Sequence, residues 1–155
     1  MDAHGRTRAT ELNAVTTFLD MAADQQGSPQ ASPYPSSQAT QPGPLAGLTF
    51  AVKDVIDVAG VPTSMGSNVT VPGTQPATTS AALVTQLTSL GAVAVAKTNC
   101  QEFSHGILGD VSAFGRVVNP VDPALCTGGS SSGSAALVGA GVVDFALGTD
   151  TAGSC

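Results

Sequence analysis

The chain has 155 residues, 42% of them apolar and only 10% charged, with a net charge of −6 and five Lys or Arg in all. So few cations argue against a nucleic-acid footprint, which needs clustered positive charge. No apolar run approaches the roughly 20 residues of a membrane span, and residues 1–30 lack the apolar core of a secretory leader.

A charged content far below the usual level of about 25% suggests part of a large, buried α/β core, because a small free-standing domain needs more polar surface. In chain order, Leu12, Val15, Leu19 and Ala22 recur at steps of three or four, which predicts a helix over about 8–24, within an N-terminal unit of residues 1–25 docked outside the domain. His4 is expected in a disordered, exposed N-terminus. Residues 26–44 carry Pro29, Pro33, Pro35, Pro42 and Pro44 among Ser and Gln and read as an extended linker.

The body of the domain begins at Leu45. Leu48–Val52 is a short apolar run of strand formers, with Lys53 and Asp54 at its end. Strand ends in α/β proteins carry ligand-handling groups; position alone favours a solvated lysine paired to Asp54 or Asp57. A loop over 64–78 precedes a helix over about 80–90, with Thr79 or Ser80 as N-cap and Gly91 just past its end. Its expected buried face is Leu83, Val84, Leu87 and Leu90. Ala92–Ala96 is a second apolar strand, so strand, helix and strand make a parallel βαβ unit and imply an α/β fold. Thr98 with Gln101, or Asn99 with Glu102, predicts a capped short helix through about His105. His105 can serve as a general base but suits a hydrogen-bonded structural histidine better. Residues 106–127 form a long irregular stretch, of the kind that is often functional. Cys100, Cys126 and Cys155 are odd in number and fit no metal-ligand spacing, which indicates reduced thiols in a cytoplasmic protein.

Most of the chemistry lies in residues 128–155. Gly128, Gly129 and the serines Ser130, Ser131 and Ser132 precede Gly133 and a predicted helix over 134–141, which would aim free N–H groups at an anion. Val142–Leu147 is a third predicted strand. It runs into Gly148-Thr149-Asp150-Thr151-Ala152-Gly153-Ser154, where small residues let several N–H groups converge as an oxyanion hole requires. A nucleophile elbow centred on Ser131 needs a preceding strand, which Pro120 and Pro123 deny. The glycine spacing matches no nucleotide phosphate loop. The remaining possibility joins Lys53, the serine turn and Ser154 in one site.

Several blocks, in order, carry a family resemblance: Pro44–Leu48 through Lys53-Asp54, Gly91-Ala92 through Lys97-Thr98-Asn99 and Glu102-Phe103, Ser112–Gly115 with Asn119-Pro120, Gly128–Ala136, and Gly148–Ser154. Over residues 45–155 the chain resembles the amidase signature family of serine hydrolases. Ser132 and Ala152 stand where the family often has glycine, a pattern similar to the allophanate hydrolase and indoleacetamide hydrolase branches. The resemblance implies an amidase signature α/β fold, a mixed central sheet flanked by helices, with only its N-terminal portion present in 45–155. It implies Ser154 as nucleophile, Ser130 as the bridging serine after a cis Gly129–Ser130 bond, and Lys53 as base. The backbone N–H groups of Thr151, Ala152, Gly153 and Ser154 would form the oxyanion hole, with Gly128, Gly129, Ser131 and Asp150 in support.

The implied activity is hydrolysis of a small-molecule carboxamide, with no metal or organic cofactor and no membrane partner; a homodimer is among the assemblies allowed. The alternatives are a glutaminase-type A subunit of a tRNA-dependent amidotransferase, or an inactive truncated form. Open strand edges lead us to expect the 155-residue chain alone to be inactive and poorly stable.

Overall fold

The computed structural model describes residues 1–19, 43–69 and 75–155. The proline-rich linker expected over 26–44 therefore falls almost wholly outside the described residues. Four strands, β1 (Val15–Phe18), β2 (Thr49–Lys53), β3 (Val93–Thr98) and β4 (Phe145–Leu147), form one mixed sheet in the order β1-β3-β2-β4. Strands β2, β3 and β4 run parallel, and β1 runs antiparallel along β3. Helix α1 is Ala3–Glu11, α2 is Ala82–Ser89 and α3 is Ser132–Gly139. The βαβ unit expected from the sequence is β2-α2-β3, and the fold is mixed α/β.

Side chains alternate across a strand, so each strand feeds two cores. Phe50 and Val52 face Val84, Ala92 and Ala94 on the α2 side, where Phe50 stacks on Phe145 with ring centroids 5.2 Å apart. Ala51 faces Ala136 and Leu137 of α3 on the other side, together with Ala9, Leu12 and Ala14 from the N-terminus. By the same alternation, Lys53 emerges on the α3 side and Asp54 on the α2 side. Helix α3 lies close against the sheet because Gly133 has no side chain. A Cβ there would sit 2.4 Å from the Ala14 carbonyl oxygen and 2.5 Å from that of Asn99.

The N-terminus departs from its periodicity. The helix ends at Glu11, thirteen residues short of the expected end at Asp24, and Val15–Phe18 is a strand. Asn13, at φ 51, turns the chain, a conformation asparagine tolerates just past a helix end. The β-branched run Val15-Thr16-Thr17 then suits a strand better than a helix. Leu12 is buried in the core, so this region is part of the domain and no outer attachment. His4 is exposed as expected but sits within α1.

Smaller differences follow from local competition. Helix α2 has Ala81 at its N-cap with no side-chain cap, because the Ser80 hydroxyl accepts the Ala59 N–H instead. Leu83 is half exposed, leaving Val84 as the buried centre of that helix. Neither capping box forms after β3: Thr98 bonds Ser134, Asn99 bonds the carbonyls of Asn13 and Gly115, and Glu102–Ser104 is one 3₁₀ turn. Strand β4 begins at Phe145 and not at Val142, since Val142 and Val143 pack in the α3-side core and the Asp144 carboxylate accepts both the N–H and the hydroxyl of Thr49.

If the N-terminal segment is core, Leu12→Ala will cost about 2–5 kcal/mol, read from urea unfolding. A docked outer helix would give a change within about 0.5 kcal/mol.

Candidate active site

Parallel strands β2, β3 and β4 end at the same level, so the residues just past them meet. Val52 pairs with Leu147, which places Lys53 beside the Gly148-Thr149 turn. The Lys53 side chain is fully buried. Its Nζ donates to Ser130 Oγ at 2.7 Å, to Thr149 Oγ1 at 2.8 Å and to the Thr149 carbonyl at 3.4 Å. Removal from water disfavours the ammonium and pushes its pKa below the ordinary lysine value, against a weaker upward pull from Cys100, Cys155 and Asp150. The solvated pairing with Asp54 or Asp57 suggested by position alone is absent. Asp54 faces the other side of the sheet and pairs with Lys97 at 2.8 Å.

Ser130 is itself fully buried and follows a cis Gly129–Ser130 peptide bond. Ser131 joins this turn to the segment after β4. Its N–H and hydroxyl both donate to the Ser154 carbonyl, at 3.2 and 2.5 Å. Thr98 and Ser134 share a hydrogen bond at 2.9 Å, and Ser134 also donates to the Leu147 carbonyl, which fixes α3 over the strand ends. Ser154 is therefore held beside the serine turn through its carbonyl. Among the described residues no hydrogen bond links its hydroxyl to Ser130.

The N–H groups at the far end of this segment face a carboxylate. Asp150 accepts from Gly153 N at 2.6 Å and from Cys155 N at 3.2 Å. Its pKa lies below the usual carboxylate range through backbone bonds from Gly153 first and then Ser154. Of the four N–H groups named for an oxyanion hole, those of Gly153 and Ser154 are thus directed at Asp150, while Thr151 and Ala152 lie exposed. An adjacent cavity of about 370 Å³ is lined by Gly128, Gly129, Ser131, Ser154, Ile107 and Val138 among others, with no charged side chain among the described residues. His105 is exposed and does not line it.

The residue that composition and spacing passed over is Thr149. Its hydroxyl and carbonyl make two of the three contacts to Lys53, and its signal was its place directly after β4, the neighbour of β2. The arrangement sets a lysine whose pKa is lowered by burial against a serine hydroxyl, beside a cavity lined by Ser131, Ser134 and Ser154.

The family model for amidases matches residues 6–155, almost the whole chain. The chain belongs to the amidase family. It is 42% identical over 149 residues to the A subunit of the glutamyl-tRNA(Gln) amidotransferase of Salinibacter ruber, covering 95% of this chain and 28% of that protein. The crystal structure of the corresponding protein from Thermotoga maritima aligns with a TM-score of 0.76 at 30% identity, covering 97% of this chain and 30% of that one. Allophanate hydrolase from Kluyveromyces lactis aligns with a TM-score of 0.73 at 34% identity, covering 93% and 22%. The chain spans less than a third of the length of the amidotransferase proteins it matches. The likeness to allophanate hydrolase expected from Ser132 and Ala152 is present, beside a higher identity to amidotransferase A subunits.

The buried lysine gives a stability signature. The folded state binds fewer protons than the unfolded one between the lowered Lys53 pKa and the ordinary value of 10.5, so this group favours folding increasingly as pH rises through that window. Cys100, pushed up to about 11 chiefly by burial, acts oppositely above its ordinary value of 9.0. Comparison with Lys53→Met isolates the lysine: any stability advantage of the variant should shrink as pH is raised toward 10.5, followed by urea unfolding at several pH values. Ser132 offers a second check. Its Oγ is buried with no hydrogen-bond partner, so Ser132→Ala should raise stability by about 1–3 kcal/mol.

Proposed function

We propose that the complete protein carrying this chain hydrolyses a carboxamide through a covalent acyl-enzyme, with Lys53 as base, Ser130 as relay and Ser154 as nucleophile. The observation that carries this is the buried 2.7 Å contact between Lys53 Nζ and Ser130 Oγ. A neutral amine there donates two N–H bonds to Thr149 and accepts from the Ser130 hydroxyl, whereas an ammonium donates all three. The Thr149 carbonyl can only accept, so the Ser130 contact is one that can reverse direction as the proton moves.

In this mechanism Lys53 takes the Ser130 proton while Ser130 takes that of Ser154. Ser154 Oγ forms a bond to the amide carbon, and the carbonyl π electrons move onto oxygen. Backbone N–H groups of residues 151–154 stabilise that oxyanion, which requires those of Gly153 and Ser154 to turn from the Asp150 carboxylate toward substrate. Collapse of the intermediate expels the amine or ammonia, which leaves with the proton returned through Ser130. Water, activated by the same relay, then releases the carboxylic acid and restores Ser154. Gly128 and Gly129 leave the turn open to the cavity, and Ser131 keeps Ser154 against it. Each of these roles depends on residues of this chain alone and calls on no metal or organic group.

A second possibility has a specific observation in its favour. The 42% identity to the A subunit of a glutamyl-tRNA(Gln) amidotransferase supports glutamine as the carboxamide, with ammonia passed onward inside a complex. In both cases the chemical step is the same.

The test is ammonia release by the complete protein from glutamine and from a panel of simple carboxamides, with and without candidate partner proteins. Lys53→Ala, Ser130→Ala and Ser154→Ala should each lower turnover by roughly 10³-fold or more. The wild-type rate should climb as pH rises through a value below that of an ordinary lysine. Undiminished hydrolysis by the Lys53 and Ser154 variants would reject the mechanism. Activity on glutamine that appears only with partners would select the amidotransferase role.

A further inference from the structure

The chain contains two lysines, Lys53 and Lys97, and both side chains are fully buried. They lie on adjacent parallel strands but meet different surroundings. Among the described residues, Lys53 Nζ hydrogen-bonds to hydroxyl and carbonyl oxygens and to no carboxylate. Lys97 Nζ lies 2.8 Å from Asp54 Oδ1, and both side chains of that pair are almost completely removed from solvent. Asp54 is the residue directly after Lys53. An unneutralised carboxylate at that place would draw Lys53 toward its charged form, because an opposite charge nearby favours the ammonium.

The pair is also built into the strand ends. Asp54 N donates to the Thr98 carbonyl beyond the β2–β3 ladder. Asp54 Oδ2 accepts from Thr16 of β1 at 3.1 Å and from Ser64 at 2.5 Å. Lys97 Nζ donates to Thr63 Oγ1 at 2.9 Å and to the Pro62 carbonyl at 3.4 Å, and the Thr63 hydroxyl donates to Asp57. Three strands and the loop after β2 therefore converge on one buried ion pair behind Lys53.

We propose that Asp54 and Lys97 are positioning residues for Lys53: they close a net-neutral ion pair across the sheet from it, fix the end of β2 on which it stands, and leave it as the lysine free to lose its proton. This rests on the assignment of Lys53 as base. Other titratable groups facing Lys53 are Cys100, Cys155 and Asp150, and Cys100 also feels Asp54 and Lys97. None of these closes an ion pair with Asp54.

The partners of each charge give the proposal a signed consequence. In Lys97→Met, Asp54 loses its cation and keeps hydroxyl donors from Thr16 and Ser64, so Lys53 should titrate higher. In Asp54→Asn the carboxylate is lost and Lys97 is left without its counter-charge, so Lys53 should titrate lower. One uncompensated charge of this kind corresponds to a shift on the order of one pH unit. A double Asp54→Asn, Lys97→Met variant should return to the wild-type midpoint.

The experiment is ¹³C NMR titration of the complete protein labelled at lysine Cε, in which the Lys53 signal is the one lost in Lys53→Met. Opposite shifts in the two single variants, with recovery in the double, are the expected result. A purely structural pair would move both midpoints in the same direction or neither, and that would overturn the proposal. Where a single variant does not fold, the double variant and Lys97→Arg carry the test. Both keep the pair net-neutral, so a wild-type Lys53 midpoint is expected and a displaced one refutes it. Since the readout is a titration, its failure is separate from any loss of amide hydrolysis.

Discussion

The structure turns on one buried amine. Lys53 stands fully buried at the end of β2 with three oxygen atoms within reach. Desolvating an ammonium is costly, so the position is tenable only because its surroundings tolerate a neutral amine or supply enough acceptors for a charged one. Those acceptors come from distant parts of the chain, Ser130 from the turn before α3 and Thr149 from the turn after β4. The parallel arrangement of β2 and β4 makes this meeting obligatory, because Val52 and Leu147 are partners in the ladder and the next residue on one strand and the second on the other lie past its end. Packing on both faces of the sheet serves to hold that register.

The loop carrying Ser154 is tied down at two points by different chemistry. Ser131 donates to the Ser154 carbonyl and so anchors the loop to the serine turn. Asp150, at the start of the same short segment, accepts from the N–H groups of Gly153 and Cys155 on either side of Ser154. A carboxylate that gathers successive backbone N–H groups has the local form of an anion-binding nest, with the anion supplied by the chain itself. The same N–H groups would stabilise an oxyanion only after exchanging one acceptor for another. The Asp150 contacts thus keep the N–H groups of Gly153 and Cys155 satisfied.

The parts of the fold legible in the sequence were those where local pattern and tertiary need agree. Leu48–Val52 and Ala92–Ala96 are apolar on both faces, as buried parallel strands must be, and the intervening helix fell within two residues of its place. The N-terminus was misread because Leu12, Val15 and Leu19 fit a helical period while Val15–Phe18 finds a free edge along β3, a long-range contact that no local spacing reveals. The site was legible as blocks, but composition and period alone did not join them. Position alone favoured Asp54 or Asp57 as the partner of Lys53, yet adjacent residues on a strand point to opposite faces, and Asp57 accepts from Thr63 instead. Thr149 went unremarked for a related reason. A threonine after a strand carries no signal of its own until the neighbouring strand is known to end in a buried lysine.

The two lysines show how partner choice divides one residue type between two tasks. Lys97 lies against a carboxylate and a hydroxyl. Lys53, among neutral oxygens, lacks the counter-charge that would lock its proton in place. Exchanging those surroundings would exchange the roles, since both side chains are equally removed from solvent and burial by itself does not decide between them. Strand alternation supplies the separation: Asp54 follows Lys53 in the chain, but the pleat turns it to the opposite face, where Lys97 meets it. The sheet thereby places a carboxylate next to the candidate base in sequence while directing its charge elsewhere in space.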